Sequence, residues 1–322
     1  MKGAIRAILF VACGFASSGS NAFIYEVKVL KKWDATRKRY HYFTGCSDFH
    51  DKHHDATPSQ MAAIGQLLKQ MPRKETKIIV EDLSTENHCG RKACGRFFLN
   101  SRGGILGGLT QTCKAQHLNV DNIEYRYCRV IALGPLLHNL NAELSTIPSL
   151  KGVRVSDIMH EIQTTVDHIK QYNDGSTLKQ WYAQNLKELA THIQRLKMEQ
   201  YKDISMAEYV ARHTTHATRL KMLKYLLTFD SDLLNVLMVH YVQAAADKEH
   251  VLAFAGGTHI ARVVDKLKTL GYQEVYSTKP EYFREHNLEK CLGSHITDGN
   301  FCVRPHPVKD DVFKKIVHPG SL

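Results

Sequence analysis

The sequence predicts an α/β fold: a mixed central sheet with a parallel core flanked by helices, plus a large helical insertion. The apolar run 251–255 is long enough for a buried strand and too short for a core helix, and a second apolar run, 78–80, is the centre of another predicted strand. The run 251–255 ends in Gly256 and Gly257 and leads into a helical pattern. Between the two runs, residues 155–246 carry apolar side chains mostly at helical spacing.

The N-terminus has the three parts of a secretory signal peptide. Lys2 and Arg6 are followed by the apolar run 7–12, and small residues end at Ala22, so we assign 1–22 to the signal. The run is far shorter than the ~20 residues that cross a bilayer. Cys13 lies in a motif similar to a lipidation site, which makes a lipid anchor there an alternative. We expect an exported protein, periplasmic or extracellular, with no transmembrane span after the signal.

The elements that follow the signal alternate between strands and helices. An alternating strand over 23–33 and a second strand over 40–44 predict an antiparallel hairpin. Residues 45–55 form a predicted loop rich in imidazoles and carboxylates, and a helix is predicted over 61–71. The next strand, 75–80, ends at a pair of carboxylates.

The later elements continue the same alternation. We predict a helix over 109–118 and a strand over 122–130. The strand 251–255 is followed by a helix over 261–269 and a strand over 272–276.

Four parts are predicted after the signal. Residues 23–150 form the N-terminal part of the α/β core, 151–229 the helical insertion, 230–279 the C-terminal part of the core, and 280–322 an irregular tail. A helix break near Asp230 sets the boundary between the insertion and the second part of the core.

Two details stand out in the helical region. Ser205 and Glu208 have the spacing of a capping box, which predicts a helix start. The apolar run 233–242 is interrupted by Asn235 and His240, so it does not resemble a membrane span.

The glycine turn places a histidine at the start of a helix. Gly256 and Gly257 permit a tight turn after the strand, Thr258 is the predicted helix cap, and His259 falls in the first helical turn. Open α/β sheets use this geometry to present side chains to ligands.

Polar groups follow three predicted strands. Asp48 and His50 come after the hairpin, Glu81 and Asp82 after the next strand, and His259 after the glycine turn. Since parallel strands bring their carboxyl ends to one edge of a sheet, we expect these groups to converge.

The converging groups suit two kinds of chemistry. His50, Glu81 and His259, with Asp82 in support, form a ligand set for a divalent metal such as Zn or Mn, which would activate a bound water. Without a metal, the same groups could act as an acid and base pair on water. Both alternatives lead to a hydrolase.

The cysteines fit an exported protein. With Cys13 in the signal, seven cysteines remain, and disulfides are permitted. We predict loop disulfides for Cys89 with Cys94 and for Cys291 with Cys302, with a zinc site as the alternative for the first pair.

The chain is basic, with a formal net charge of +11. Such a balance favours anionic surfaces or substrates. The basic residues are dispersed along helices and no nucleic-acid module is found, so nucleic acid is not an expected partner. A non-catalytic interaction protein whose basic helical surface binds an acidic partner is a further alternative.

The strand-end motifs carry a resemblance to a known superfamily. Ser47-Asp-Phe-His50, Glu81 after its strand, and Gly256-Gly-Thr-His259 opening a helix resemble the TraB/GumN/Tiki, erythromycin-esterase and ChaN-like superfamily. Ser47 stands where that group has a glycine, so His53 and His54 are rivals to His50. Arg126 resembles an arginine that some members carry on a mid-chain strand.

The resemblance implies three different activities. The Tiki branch implies a metal-dependent peptidase, the erythromycin-esterase branch an ester hydrolase without bound metal, and the ChaN branch a haem-binding lipoprotein. Our leading interpretation is an exported hydrolase of peptide or ester bonds, with His50, Glu81 and His259 at its centre and Asp82 and Arg126 in support. The alternative is a haem- or metal-binding protein without catalysis that uses exposed histidines such as His53 and His54.

Overall fold

The computed structural model describes most of the chain after its first twenty residues. The described residues are 21–51, 58–82, 109–124, 152–170, 183–184, 187, 190–191, 194, 197–280, 282–285, 296–297 and 301–317.

Six strands form the main sheet, and three short strands form a second sheet near the C-terminus. The main strands are β1 (Asn21–Asp34), β2 (Arg39–Asp51), β3 (Thr76–Val80), β4 (Asn119–Asn122), β5 (His250–Gly256) and β6 (Gln273–Ser277). The short strands are β7 (Tyr282–Glu285), β8 (Ile296–Thr297) and β9 (Phe301–Pro305). The α-helices whose bounds the structure describes are α1 (Pro58–Gln70), α2 (Leu109–Ala115), α3 (Val155–Lys170), α4 (Met206–His213), α5 (His216–Ala244), α6 (Gly257–Thr269) and α7 (Asp311–Lys315), and the described residues between 183 and 194 are also helical.

The main sheet has the order β4-β3-β5-β2-β1-β6. The first four strands of this order are mutually parallel, whereas β1 and β6 run antiparallel to their neighbours. The predicted fold class is therefore confirmed: a mixed sheet with a parallel core, flanked by helices. The parallel core is what brings the carboxyl ends of β2, β3 and β5 to one edge, which we name the carboxyl edge.

Apolar side chains cover the sheet on both faces. On the first face, residues of β2, β3 and β5 such as Cys46, Ile78 and Phe254 pack with α1, α2 and α7. On the second face, alternate residues such as Ile79 and Ala253 pack with α5 and α6. Burial on both faces explains why β3 and β5 are continuous apolar runs in the sequence.

Strand β2 is longer than predicted. The sequence suggested a strand over 40–44 followed by a loop, but pairing with β1 continues to Asp51. Ser47 and Asp48 are buried within this extension. The prediction failed because polar residues read as a loop, whereas the long alternating β1 offers backbone partners along its whole length.

Two further elements differ from the prediction. The strand expected over 122–130 lies earlier, because β4 pairs with β3 over Asn119–Asn122, and residues 125–130 lie outside the described part. The tail expected to be irregular contains β7, β8, β9 and α7. Its short strands pair with one another, and Phe313 of α7 is buried on the first face.

The helical region agrees in type with the prediction but not at one boundary. Ser205 Oγ accepts a hydrogen bond from Glu208 N at 3.1 Å, which confirms the predicted helix start at α4. The predicted break near Asp230 is wrong, because α5 runs unbroken for 29 residues across it. Packing of its second half against the sheet stabilises the helix there, which local propensity does not report. Among the residues described, no helix combines the length and the apolar character needed to cross a bilayer.

Candidate functional site

The candidate site lies at the carboxyl edge, where β3, β5 and β2 end side by side. The registers place Val80 beside Phe254 and Asp48 beside Gly256. The first residues after β3 and the first turn of α6 are therefore neighbours, although they are far apart in the chain.

Glu81 is the acidic group of this site. Its side chain is buried, with 2 % of the residue exposed. The backbone N–H of Glu81 donates to the Phe254 carbonyl at 2.9 Å, and the Gly256 N–H donates to Glu81 Oε2 at 2.8 Å. Main chain and carboxylate are thus both fixed by β5. The positive end of the α6 dipole adds a favourable field for a negative charge at this point.

His259 is the imidazole that faces this carboxylate. It lies in the first turn of α6 and is 8 % exposed. Its Nε2 lies 4.0 Å from Glu81 Oε1, and its Nδ1 lies 3.0 Å from Asn235 Oδ1. Because an amide oxygen can only accept, the contact with Asn235 Oδ1 places a proton on Nδ1. The ring is therefore oriented from one side by Asn235, and its Nε2 is on the side of Glu81.

Asn235 is a functional candidate that the sequence analysis did not select. It is fully buried on α5, within an otherwise apolar run. Asp232, one turn earlier on α5, binds Arg262 of α6 at 3.1 Å, so the two helices are joined beside the Asn235–His259 contact. The signal was present in the sequence as a polar interruption of residues 233–242. A buried amide in an apolar helix indicates a specific hydrogen-bond partner.

Tyr25 is the second residue that the sequence did not indicate. A Cβ on Gly257 would overlap the hydroxyl and ring of Tyr25, so this glycine permits a close approach between β1 and the start of α6. The helix itself begins without a side-chain cap: the cap position is Gly256, and Thr258 is not the cap. That prediction was wrong because β5 continues to Gly256 and leaves no loop before the helix.

The adjacent carboxylates Glu81 and Asp82 are directed toward opposite faces of the sheet. Glu81 follows Val80 and alternates onto the second face with His259, whereas Asp82 comes one residue later. The Asp82 carboxylate lies 3.4 Å from Thr110 N at the start of α2, and Asn122 Oδ1 binds Asp82 N at 3.0 Å. The Asp82 carboxylate therefore contacts the start of α2, and its support of the site stays a prediction.

Asp48 and His50 belong to the last residues of β2. Asp48 is buried, and its backbone is beside Gly256. The backbone of His50 pairs with Ala22 of β1 at the same edge, but its side chain lies outside the described part. Both histidines were predicted at the carboxyl edge. The structure places the backbone of His50 and the side chain of His259 there.

The remaining predicted positions fall outside the described residues. These are His53, His54, Arg126, Cys13, Cys89, Cys94 and Cys291, together with the side chain of Cys302 on β9. Of the cysteines whose side chains are described, Cys46 and Cys113 are buried free thiols.

A water molecule or a cation suits the space between Glu81 and His259. Glu81 Oε1 and His259 Nε2 are 4.0 Å apart, a separation that a bridging water or cation can span. A water can donate to both at ordinary lengths of about 2.8 Å. Two zinc ligands with bonds of ~2 Å lie about 3.3 Å apart, so a metal would require a small closure of this pair.

The donor chemistry fits a divalent metal, although the described residues supply only part of a ligand set. A carboxylate oxygen and an imidazole Nε2 are ordinary ligands for Zn or Mn. Within the part of the chain that the structure describes, no three His, Cys, Asp or Glu side chains form a metal-binding group. His50 is the predicted third ligand.

Comparison with known proteins adds no family assignment. No family profile matches the chain, and neither a curated protein nor a solved structure does. The superfamily resemblance of the short motifs stays a prediction.

Proposed function

We propose that this chain is an exported hydrolase of peptide or ester bonds, with Glu81 and His259 at the centre of its active site. The observation that carries the proposal is the pair itself: a buried carboxylate 4.0 Å from an imidazole whose other nitrogen is held by Asn235. A buried carboxylate beside a buried imidazole, with the second nitrogen of the ring held by an orienting partner, is an arrangement that catalytic sites use. The leader-like N-terminus supports export.

In the metal-free mechanism, a water between the two groups donates one hydrogen bond to His259 Nε2 and one to Glu81 Oε1. His259 removes a proton from this water as the water oxygen attacks the substrate carbonyl, and Glu81 stabilises the resulting imidazolium. The imidazolium then gives its proton to the leaving alcohol or amine as the C–O or C–N bond of the substrate breaks. Asn235 keeps the proton of the neutral ring on Nδ1, so Nε2 is available as the base.

In the metal-dependent mechanism, Glu81 and His259 would hold a divalent ion, with His50 as the predicted third ligand. When bound, the ion lowers the pKa of its water to about 7. In this mechanism Asn235 would orient the His259 ring as a metal ligand, and the Gly256 N–H would hold the second carboxylate oxygen of Glu81. Elemental analysis of the purified protein distinguishes the two mechanisms.

The replacement Glu81→Gln tests the proposal. The amide keeps the shape of the side chain and can still accept from Gly256 N, but it loses the charge that assists water activation or holds a metal. We expect a loss of hydrolysis of about 10²-fold or more on a panel of ester and peptide substrates. The matched control is Glu75→Gln, because Glu75 lies at the other end of β3 and contacts Arg39.

Two outcomes would contradict the proposal. Hydrolysis that is equal in wild type and Glu81→Gln would remove Glu81 from the mechanism. Wild type that hydrolyses no substrate but binds haem, with binding lost in His53→Ala or His54→Ala, would favour the haem-binding alternative.

A further inference from the structure

The hairpin tip, residues 31–40, consists of the end of β1, the turn and the start of β2, and it extends beyond the rest of the sheet. β6 pairs with β1 only from Lys28 to Lys31, and β5 pairs with β2 only from Tyr42 onward. The tip is therefore a two-stranded ribbon. It lies at the amino ends of the parallel strands, so it is at the opposite edge of the sheet from Glu81 and His259.

Two large aromatic residues are exposed on this tip. Trp33 and Tyr40 are directly paired across the hairpin, with 51 % and 41 % of their surface exposed. Their rings meet edge to face, with centroids 5.1 Å apart. An exposed Trp–Tyr pair at a projecting ribbon is an unusual use of apolar surface in water.

Basic side chains surround this aromatic pair. The ten residues of the tip contain five Lys or Arg and a single carboxylate, Asp34, which Arg37 binds at 2.7 Å. Lys31 Nζ lies 4.8 Å from the centre of the Tyr40 ring. Among the described residues, Lys31, Lys32 and Lys38 have no carboxylate partner. The tip therefore carries positive charge that the fold itself does not neutralise.

We propose that the hairpin tip docks this protein on an anionic lipid surface. Trp and Tyr favour the boundary between headgroups and acyl chains, because each ring has an apolar body and a polar atom. Lysines beside them gain energy from anionic headgroups. The lysines thus favour an anionic partner. The exposed rings favour a lipid bilayer, which has an apolar layer beneath its charged headgroups.

A single-stranded nucleic acid is the other polyanion that binds aromatic residues. It requires open ring faces on which bases stack. Lys31 lies over the Tyr40 ring, and Trp33 contacts that ring edge to face, so the two rings do not form a stacking platform. Docking through the tip also leaves the carboxyl edge directed away from the membrane.

Vesicle co-sedimentation tests the proposal. The full chain carries Cys13→Ser in every sample, so that acylation plays no part and the N-terminal run gives an equal background. Binding is measured to phosphatidylcholine vesicles with and without phosphatidylglycerol. We expect binding above that background only with phosphatidylglycerol, and this added binding should weaken as salt screens the charges.

Two double variants remove the two contributions separately. Trp33→Ser with Tyr40→Ser is expected to weaken apparent affinity at least about tenfold, since it removes the inserted apolar surface. Lys31→Ala with Lys38→Ala is expected to weaken it about fivefold for each lysine. The matched controls are Met61→Ser, an exposed apolar residue of α1, and Lys279→Ala with Lys309→Ala, which lie near the carboxyl edge. These controls should bind like the parent.

Fluorescence gives a second readout at the tip itself. The chain has two tryptophans, so Trp181→Phe leaves Trp33 as the only one. Its emission should shift to shorter wavelength when anionic vesicles are added. No vesicle binding, or binding that the tip variants do not change, would overturn the proposal. Tip-dependent binding to single-stranded DNA without vesicle binding would overturn it in favour of a nucleic-acid surface.

Discussion

At the carboxyl edge, the side chains of Glu81 and His259 are buried, so contacts within the protein replace their contacts with water. A buried carboxylate is costly unless hydrogen bonds or a helix dipole stabilise its charge. Glu81 has both, through the Gly256 N–H and the start of α6. Asn235 Oδ1 lies 3.0 Å from His259 Nδ1 and orients this imidazole. The chemistry of the site therefore depends on groups that touch no substrate.

Asn235 is the residue whose loss tests this dependence. Asn235→Ala leaves the His259 ring free to rotate and to exchange its proton between nitrogens. Loss of such an orienting partner typically reduces activity 10- to 100-fold, and we expect a decrease of about that size in kcat. The measurement is the full pH–rate profile of the variant with the best substrate of the panel.

The variant Asn235→Asp tests whether Asn235 acts by orienting the His259 ring or only by filling space in the core. The carboxylate keeps the acceptor for Nδ1, and among the described residues the amide nitrogen that it replaces has no partner to lose. The added charge stabilises the protonated imidazole, so the acid limb of the profile should move to higher pH while much activity remains. A profile with an unchanged acid limb would show that Asn235 does not act through His259.

His41, at the edge opposite the candidate site, predicts how stability depends on pH. Burial lowers the pKa of this imidazole to about 4, and its Nδ1 lies 2.6 Å from the Tyr272 hydroxyl. The unfolded chain takes up a proton near its ordinary pKa of about 6.5, whereas the folded protein does so only near 4. Stability is therefore full above about pH 6.5 and falls as pH decreases toward 4.

The expected loss is about 2–3 kcal/mol between pH 7 and about pH 4.5. Urea unfolding of wild type and His41→Gln at both pH values measures it, because the glutamine cannot take up the proton. The control is His160→Gln, which removes an exposed histidine from α3. An equal decrease of stability in wild type and His41→Gln would assign the pH dependence to other groups.

At the scale of single elements, the junction between β5 and α6 is the most constrained. The strand ends and the helix begins without a loop, and Tyr25 of β1 occupies the space beside Gly257. Gly257→Ala must displace either Tyr25 or the first turn of α6. We expect a destabilisation of about 1–3 kcal/mol and a decrease of activity, since His259 moves with that turn.

Gly65→Ala is the matched control for this substitution. Gly65 lies within α1, and a Cβ there meets no atom within 4 Å. Alanine is the better helix former, so this variant should gain up to about 1 kcal/mol of stability. Thermal unfolding of both variants measures the difference. A neutral Gly257→Ala would mean that Tyr25 moves aside without cost.

At the scale of the whole molecule, the first face of the sheet joins distant parts of the chain into one core. Cys46 of β2 and Cys113 of α2 are both buried there. Burial raises the pKa of both thiols, that of Cys113 to about 12. We expect neither to react with a thiol reagent in the native protein, because the thiolate is the reactive form.

Both thiols should become reactive at the same urea concentration, since one cooperative core protects them. Site-by-site mass spectrometry after pulse alkylation across a urea series measures this. Labelling of Cys113 well before Cys46 would show that α2 separates from the sheet on its own.

The sequence by itself determined the elements whose local pattern agrees with their environment. β3 and β5 are apolar throughout because both faces of the sheet are covered, and α6 shows the spacing of a helix with one buried side. The parallel order predicted for these strands is enough to make Glu81 and His259 candidates for one edge of the sheet. Periodicity reports burial, so it is reliable wherever burial is regular.

Only the tertiary structure determined which strands, helices and side chains contact one another. β2 continues through polar residues because β1 lies beside it, and α5 passes its polar segment near Asp230 because its second half packs on the sheet. Asn235 and Tyr25 reach the site from other elements, and alternation at the end of β3 separates Asp82 from Glu81. These outcomes depend on contacts between residues remote in sequence, whose energies exceed the local preferences that a sequence pattern expresses.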